Sequence, residues 1–234
     1  MLNSLKKYCV ILIVFIGCAI AMSPVKHAIK NASSLQVSSI RASLGSGSLF
    51  AVLGGYRSLV ADMVWIKSYV SWENKDISKC VSSMELACAI DPEMTTFWTQ
   101  AASIIAFDIP HWLLKRLPLK SQNDEKLDFY KKHQARQAMM FLDKGLKMFP
   151  NNYKLLIQQG QIAISAKRFD LAEDYFRRAT KVDNSFYSRR ILAALLINNG
   201  KISEAKKILK SVLNEADADN PVREVIKKQL NSLL

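Results

Sequence analysis

Residues 152–184, NYKLLIQQGQIAISAKRFDLAEDYFRRATKVDN, read as two helices joined by a short turn. In the first arm, Tyr153 to Ala166, the residues Leu156, Gly160 and Ala163 recur at the spacing of one helical face. A break at Lys167-Arg168-Phe169 separates this arm from the second. There Asp170 is expected to cap the helix, and Glu173, three residues on, to complete a capping box. Leu171, Ala172, Tyr175, Phe176 and Ala179 mark the side of the second helix that should be buried. Gly160 and Ala172 carry the packing argument, because two helices approach to about 8–10 Å only where the crossing side chains are small. A mid-helix glycine costs about 1 kcal/mol against alanine, so Gly160 implies a neighbour that needs its space. One such hairpin leaves an apolar outer face uncovered, and copies of it should exist.

They do. Ala138, Leu142, Gly145 and Pro150 stand 34 residues before Ala172, Phe176, Ala179 and Asn184, and Ala205, Leu209 and Val212 stand 33 after Ala172, Phe176 and Ala179. The turn Phe169-Asp170-Leu171-Ala172 is answered by Ile202-Ser203-Glu204-Ala205, and far upstream by Ile77-Ser78-Lys79-Cys80, continuing to Met84, Ala87 and Pro92. Cys80, Ala138, Ala172 and Ala205 thus share one slot, which makes Cys80 a small core residue. The period, the small/aromatic/small/proline pattern and the helix-turn-helix unit together resemble the tetratricopeptide repeat (TPR). The resemblance implies an all-α fold: a right-handed α-solenoid of about four TPR-type hairpins over residues 49–234, with a binding surface lined by the first helix of each pair.

Composition agrees with helices. Glycine and proline are scarce, at 8 and 6 of 234 residues, and alternating Val/Thr-rich runs are absent. The net charge of +13 is uneven, since residues 126–234 hold 21 of the 33 Lys/Arg but 11 of the 20 Asp/Glu. A basic half invites acidic proteins or peptides, anionic lipid or nucleic acid; lysines spread along helices equally serve to solvate exposed faces. No nucleic-acid-binding motif accompanies the charge, and no nucleic-acid partner is expected. Of the four cysteines, Cys80 and Cys88 lie eight residues apart on one helix, about 12 Å between Cα atoms and beyond disulfide reach.

Lys6 and Lys7 precede an uncharged apolar run from Tyr8 to Met22. Fifteen residues make about 22 Å of helix, short of the ~30 Å hydrocarbon core but at the upper limit of a signal-peptide apolar region. Residues 1–22 are therefore expected to be a single-pass signal-anchor helix in a bacterial cell membrane. The alternative is a cleaved signal, with Ala19-Ile20-Ala21 as the cleavage pattern and a secreted or periplasmic product. In both readings the early lysines favour an extracytoplasmic repeat domain, although Lys26 and Lys30 pull against that orientation. Residues 23–48, Ser-rich and ending in Leu44-Gly45-Ser46-Gly47-Ser48, read as a linker.

After the glycine pair Gly54-Gly55, a helix from about Tyr56 to Glu73 places Leu59, Met63, Ile66, Tyr69 and Val70 near one side. Arg57 and Asp62, five apart, are poor partners for each other and are expected to cap or to contact the linker. LGGYRSLVADMVWIK, with the later Trp98 helix, resembles the lead-in of bacterial membrane-anchored TPR proteins, in which a Gly-Gly-aromatic-Arg segment precedes an Asp- and Trp-containing first helix. That likeness covers about residues 50–110 and implies architecture and anchoring, with no activity attached. The second repeat is irregular. Its first arm is expected from Phe97 to Phe107, packed through Ala101, Ala102 and Ile105, and its second from Asn123 to Met148. Cys80 and Ala138 are 58 residues apart, so about 24 extra residues sit in this repeat, read as an insertion at 109–125. Its stretch Ile109–Pro118, with Trp112, three leucines and two basic residues, reads as a loop that binds a partner, lies against a membrane or folds back on the solenoid. Asn220-Pro221 opens a final capping helix, 221–233.

The sequence carries little that suggests catalysis. His27, His111 and His133 have no metal-ligand spacing, there is no phosphate-binding loop, and most carboxylates sit at helix starts where the helix dipole explains them. No enzyme activity, cofactor, metal or small-molecule substrate is expected. The binding surface should be faced by Lys154, Gln158, Gln161, Tyr187 and Arg190, whose amide and basic groups suit a peptide backbone or an acidic tail. Two functions follow: a membrane-tethered scaffold for a protein or peptide partner, or a membrane-surface protein using the basic half and the Trp112 loop on anionic lipid.

Overall fold

The break between the two arms of residues 152–184 is built from one left-handed residue. Lys167 has φ 59°; its amide bonds Ile164 O at 2.9 Å and the next amide, of Arg168, reaches back to Ala163 O at 2.8 Å. This is the Schellman arrangement that satisfies the last carbonyls of a helix. The same pair of bonds recurs at Lys75 (φ 53°) and Asp76, and at Gly200 (φ 77°) and Lys201. In all three turns the second helix begins two residues after the left-handed one. Only one of the three uses glycine.

The computed structural model describes residues 56–217 and 220–233, and these are all helix and turn. The apolar run 8–22, the linker 23–48 and the Gly54-Gly55 pair lie outside the described residues. Among the described residues no helix is long and apolar enough to cross a membrane. The chain divides into two units, 1–93 and 94–234.

The first unit contributes α1 (Arg57–Glu73) and α2 (Ile77–Ile90), packed as an antiparallel hairpin. Asp76 caps α2 by accepting from the amide of Lys79. The α1 residues turned to α2 are Val60, Ala61, Val64, Trp65, Ser68 and Ser71. Leu59, Met63, Ile66, Tyr69 and Val70 do share a side, but it is the exposed one. Arg57 meets the end of α2: its guanidinium lies 3.1 Å from Oδ1 of the C-cap residue Asp91 and 3.6 Å from Glu93, while the linker lies outside the described residues. Asp91 also accepts from Ser58 at 2.6 Å, so both ends of the hairpin are held by one buried carboxylate.

In the second unit the order is α3 (Thr95–Ser103), a π-helical turn (Ile104–Asp108), α4 (Ile109–Lys115), a short 3₁₀ turn (Leu119–Ser121), α5 (Asp124–Met148), α6 (Tyr153–Ser165), α7 (Phe169–Val182), α8 (Phe186–Asn198), α9 (Ile202–Glu215) and α10 (Val222–Asn231). The insertion read at 109–125 is helical over Ile109–Lys115 and from Asp124 on, with a connection at 116–123 that holds the 3₁₀ turn. Both arms of the second hairpin lengthen: α3 runs on through the π turn into α4, and α5 extends back to pack against α4. Pro110 accounts for the π turn, because it cannot donate to Ala106 and its ring would press on that carbonyl in a regular helix. Ile109, Pro110 and Trp112 are buried, so the Trp112 ring packs within the fold and is not displayed for a bilayer.

The repeat register reappears as the core. Cys80, Ala138, Ala172 and Ala205 are fully buried; so are Met84, Leu142, Phe176 and Leu209 at the large-residue slot, and Ala87, Ala179 and Val212 at the next. Gly145 fills that last slot in α5, where an added Cβ would lie 3.1 Å from the Trp98 ring. Cys80 and Cys88 are buried free thiols. The capping box at Asp170 does not form. The helix starts two residues earlier, its N-cap is Arg168 without a side-chain bond, and Glu173 is buried among partners from the next hairpin. At the far end Ile226 of α10 is fully buried against Leu196, Leu209 and Val212.

Candidate peptide-binding face

The first helices of successive hairpins are set by their caps. Asn152 Oδ1 accepts from the amide of Leu155 at 3.2 Å and starts α6; Ser185 Oγ accepts from Ser188 at 3.4 Å and starts α8. The hydroxyl of Tyr153 joins them, 3.0 Å from Ser185 Oγ and 2.7 Å from Ser188 Oγ. With both helix starts tied to one phenol, the side chains that follow hold a fixed relation. Lys154, Gln158 and Gln161 stand at i, i+4 and i+7 on α6, one face, and Tyr187 and Arg190 stand three apart on α8.

The structure joins two of these, Gln161 and Tyr187, and ties a third, Gln158, to α3. Gln158 donates to Ser103 Oγ of α3 at 2.9 Å, and Gln161 donates to the Tyr187 hydroxyl at 2.9 Å in an exposed bond. The face therefore runs across α3, α6 and α8, with amide and hydroxyl groups that now satisfy one another. Lys154 is exposed and Arg190 half-buried, and neither forms an ion pair among the described residues. Arg190 also keeps a buried Nε with no hydrogen-bond partner, an unmet donor of the kind that costs free energy until an acceptor arrives.

The neighbouring charges are committed elsewhere. Glu173 accepts from Lys201 (2.7 and 2.9 Å), Arg177 (2.7 Å) and Asn199 (2.8 Å), and Arg177 also grips Glu204. Burial pushes the Glu173 carboxyl up, but the hydrogen bonds from Lys201, Arg177 and Asn199 outweigh it and hold the group at about 2. Arg189 makes two 2.7 Å bonds to Glu215, which the guanidinium and Ser211 hold at about 2. These pairs lock α7, α8 and α9 together and leave their cations unavailable to a ligand.

A cleft of about 410 Å³ opens between α5 and α7, lined among others by Lys132, Arg136, Met139, Asp143, Arg168 and Tyr175. Lys132 is bonded to Asp128 and Arg168 lies 3.6 Å from Asp170. Asp143, raised by burial, accepts from Gln159 at 2.8 Å, and burial likewise raises Tyr175. Among the described residues no group of His, Cys, Asp or Glu could hold a metal ion.

Gly160, Ala172, Phe176, Ala179, Ala138 and Ala205 in the second unit, and Cys80 in the first, are all buried. Ser103, Tyr153, Ser185 and Ser188 complete the face, and sequence reasoning does not single them out. Asn152 and Ser185, 33 residues apart, carry a signal that the repeat period exposes: both are cap residues at the same slot. Ser103 carries none, because the lengthened second hairpin hides its register.

No curated protein matches the chain. Among solved structures it is similar to TTC0263, a thermophilic TPR protein in Thermus thermophilus, at 16% identity over 74% of this chain and 80% of that one, with a TM-score of 0.47. A family model described as tetratricopeptide repeat matches residues 163–228. From the end of α6 through α10, this chain therefore carries the sequence pattern of the tetratricopeptide repeat family.

Proposed function

We propose that this protein is a membrane-tethered TPR scaffold, not an enzyme, and that the α3–α6–α8 face binds a protein or peptide partner with acidic side chains. TPR domains generally bind protein partners, which supports the class. The observation that carries the proposal is the pairing state of the face. Its amides and hydroxyls bond one another, while its two cations, Lys154 and Arg190, have no carboxylate partner among the described residues. A peptide backbone can exchange with the Gln161–Tyr187 bond at small net cost, since one hydrogen bond replaces another. An acidic side chain would then gain charge-assisted bonds that no group of the fold supplies.

Tethering rests on the apolar run 8–22 behind Lys6 and Lys7, with the repeat units on the extracytoplasmic side of a bacterial membrane. Alkaline extraction of membranes tests the tether, and N-terminal sequencing distinguishes an anchor from a signal cleaved near Ala21. For the face, a panel of acidic and scrambled-neutral peptides is titrated by fluorescence polarisation against the purified chain. Acidic peptides are expected to bind at least tenfold more tightly, and Lys154→Glu/Arg190→Glu to remove that preference. Equal affinity of the wild type and the variant would refute the assignment of the face.

A further inference from the structure

The hairpin of the first unit leaves a second surface unexplained. From the N-cap residue Tyr56 into α1, Tyr56, Leu59, Met63, Ile66 and Val70 follow one another at intervals of three, four, three and four residues. Each is between 48% and 64% exposed. Laid on a helix, this stripe lies opposite the side that α2 covers through Val60, Ala61, Val64 and Ser68. An apolar stripe repeating every 3.5 residues is the narrow seam of a two-helix contact. It leaves five large side chains facing water on a helix already fixed by its partner.

Charge identifies the occupant. With Leu59 and Ile66 at d positions and Tyr56, Met63 and Val70 at a, Asp62 falls at g and Lys67 at e of the next heptad. These two exposed residues flank the stripe on opposite sides, five positions apart. That is the g-to-e′ relation by which parallel helices pair across a seam. Two copies of α1 side by side would set Asp62 of each against Lys67 of the other, twice by symmetry. An antiparallel pair brings g positions opposite g and e opposite e, and so places like charges together.

We infer that α1 is a self-association surface, pairing with α1 of a second copy of this chain in parallel about a two-fold axis. The stripe is self-complementary, as an isologous interface requires. The seam is short, but α1 is already ordered against α2, so pairing does not bear the cost of folding the helix. A parallel pair also carries two copies of the α3–α6–α8 face, which raises avidity for a repeated or clustered partner.

The test uses the full chain in mild detergent, with benzoylphenylalanine replacing Ile66 and isotopically heavy and light copies mixed. Irradiation is expected to join the probe to residues 59–70 of the other copy. A link to residues 1–55 of the same chain would put that segment on the stripe and overturn the proposal; so would a link to lipid or detergent alone, or no link at all. Sedimentation of charge variants supplies a second readout. Asp62→Lys and Lys67→Asp should each weaken dimerisation at least fivefold, and the double exchange should restore it. If the double variant stays as weak as the singles, or if all three dimerise like the wild type, the parallel pairing is wrong.

Discussion

A β-carbon on Gly160 would lie 2.5 and 2.6 Å from two carbons of the Phe176 ring, closer than packed side chains come. The glycine is thus the space into which the aromatic of the second helix fits, and both residues are fully enclosed by the hairpin. Alanine would gain about 1 kcal/mol of helix propensity at this position. Overpacking a dense core costs about 1–3 kcal/mol, and because Phe176 is completely buried its ring has little room to turn away. Gly160→Ala should therefore destabilise the protein by up to about 2 kcal/mol net, read as a lower urea midpoint at unchanged slope. Combining it with Phe176→Leu removes the clash, and the double variant should lose less than the sum of the singles by about 1 kcal/mol. Simple additivity would show that the ring does not set the size of residue 160.

Between hairpins the connection is electrostatic as much as apolar, and Glu173 of α7 is its centre. It reaches Asn199 and Lys201 in the α8–α9 turn while sharing Arg177 with Glu204 of α9. Its carboxyl sits at about 2 folded against the ordinary 4.5. The lowered value means that the folded state holds its proton more weakly, so this contribution is complete above about pH 4.5 and fades as the pH falls towards 2. Glu173→Gln should cost about 2 kcal/mol at neutral pH, the size of a few charge-assisted bonds to partly exposed partners. The gap between variant and wild-type melting curves should then close between pH 4.5 and 2. A gap constant with pH would mean that shape, not charge, is what Glu173 contributes. Legibility in the sequence differs sharply between such elements. The 33–34-residue spacing of Ala138, Ala172 and Ala205 shows in the bare sequence, because a slot that admits only small side chains leaves a compositional mark. Glu173 reads wrongly as part of a capping box, because its partners Asn199 and Lys201 are distant in sequence and a local pattern offers a ready explanation. Lys75 and Lys167 give no hint of their left-handed backbones, which lysine adopts at a cost of about 1–2 kcal/mol. On the proposed binding face, Gln158 and Gln161 are legible from helical phase, whereas their acceptors Ser103 and Tyr187 come from other hairpins and only the fold pairs them.

In the second unit, contacts run mainly between neighbouring helices, from α6 to α7, α8, α9 and α10 in turn. Stability in such an array is a sum of hairpin and interface contributions, and it is weakest at an end that is left open. α10 closes one end: Ile226 is fully buried, with Val222, Leu230 and Leu233 partly buried against the same cluster as Leu196, Leu209 and Val212. Arg223 adds bonds at 2.7 Å to the carbonyls of Leu213 and Ala216, tying the helix to the end of α9. Removing residues 218–234 uncovers that cluster, and one full and three partial apolar side chains correspond to about 3–5 kcal/mol of lost burial. The loss should not spread evenly. Amide exchange in the truncated chain should accelerate most in α9, less in α8, and little in α5 and α6, because each hairpin is supported chiefly by the next. Equal acceleration from α5 to α9 would show that the unit opens as one cooperative block, and the nearest-neighbour description would fail. A gradient would also leave the Gln158–Ser103 side of the binding face intact while loosening Tyr187 and Arg190, so the truncated chain should lose peptide affinity in step with exchange in α8.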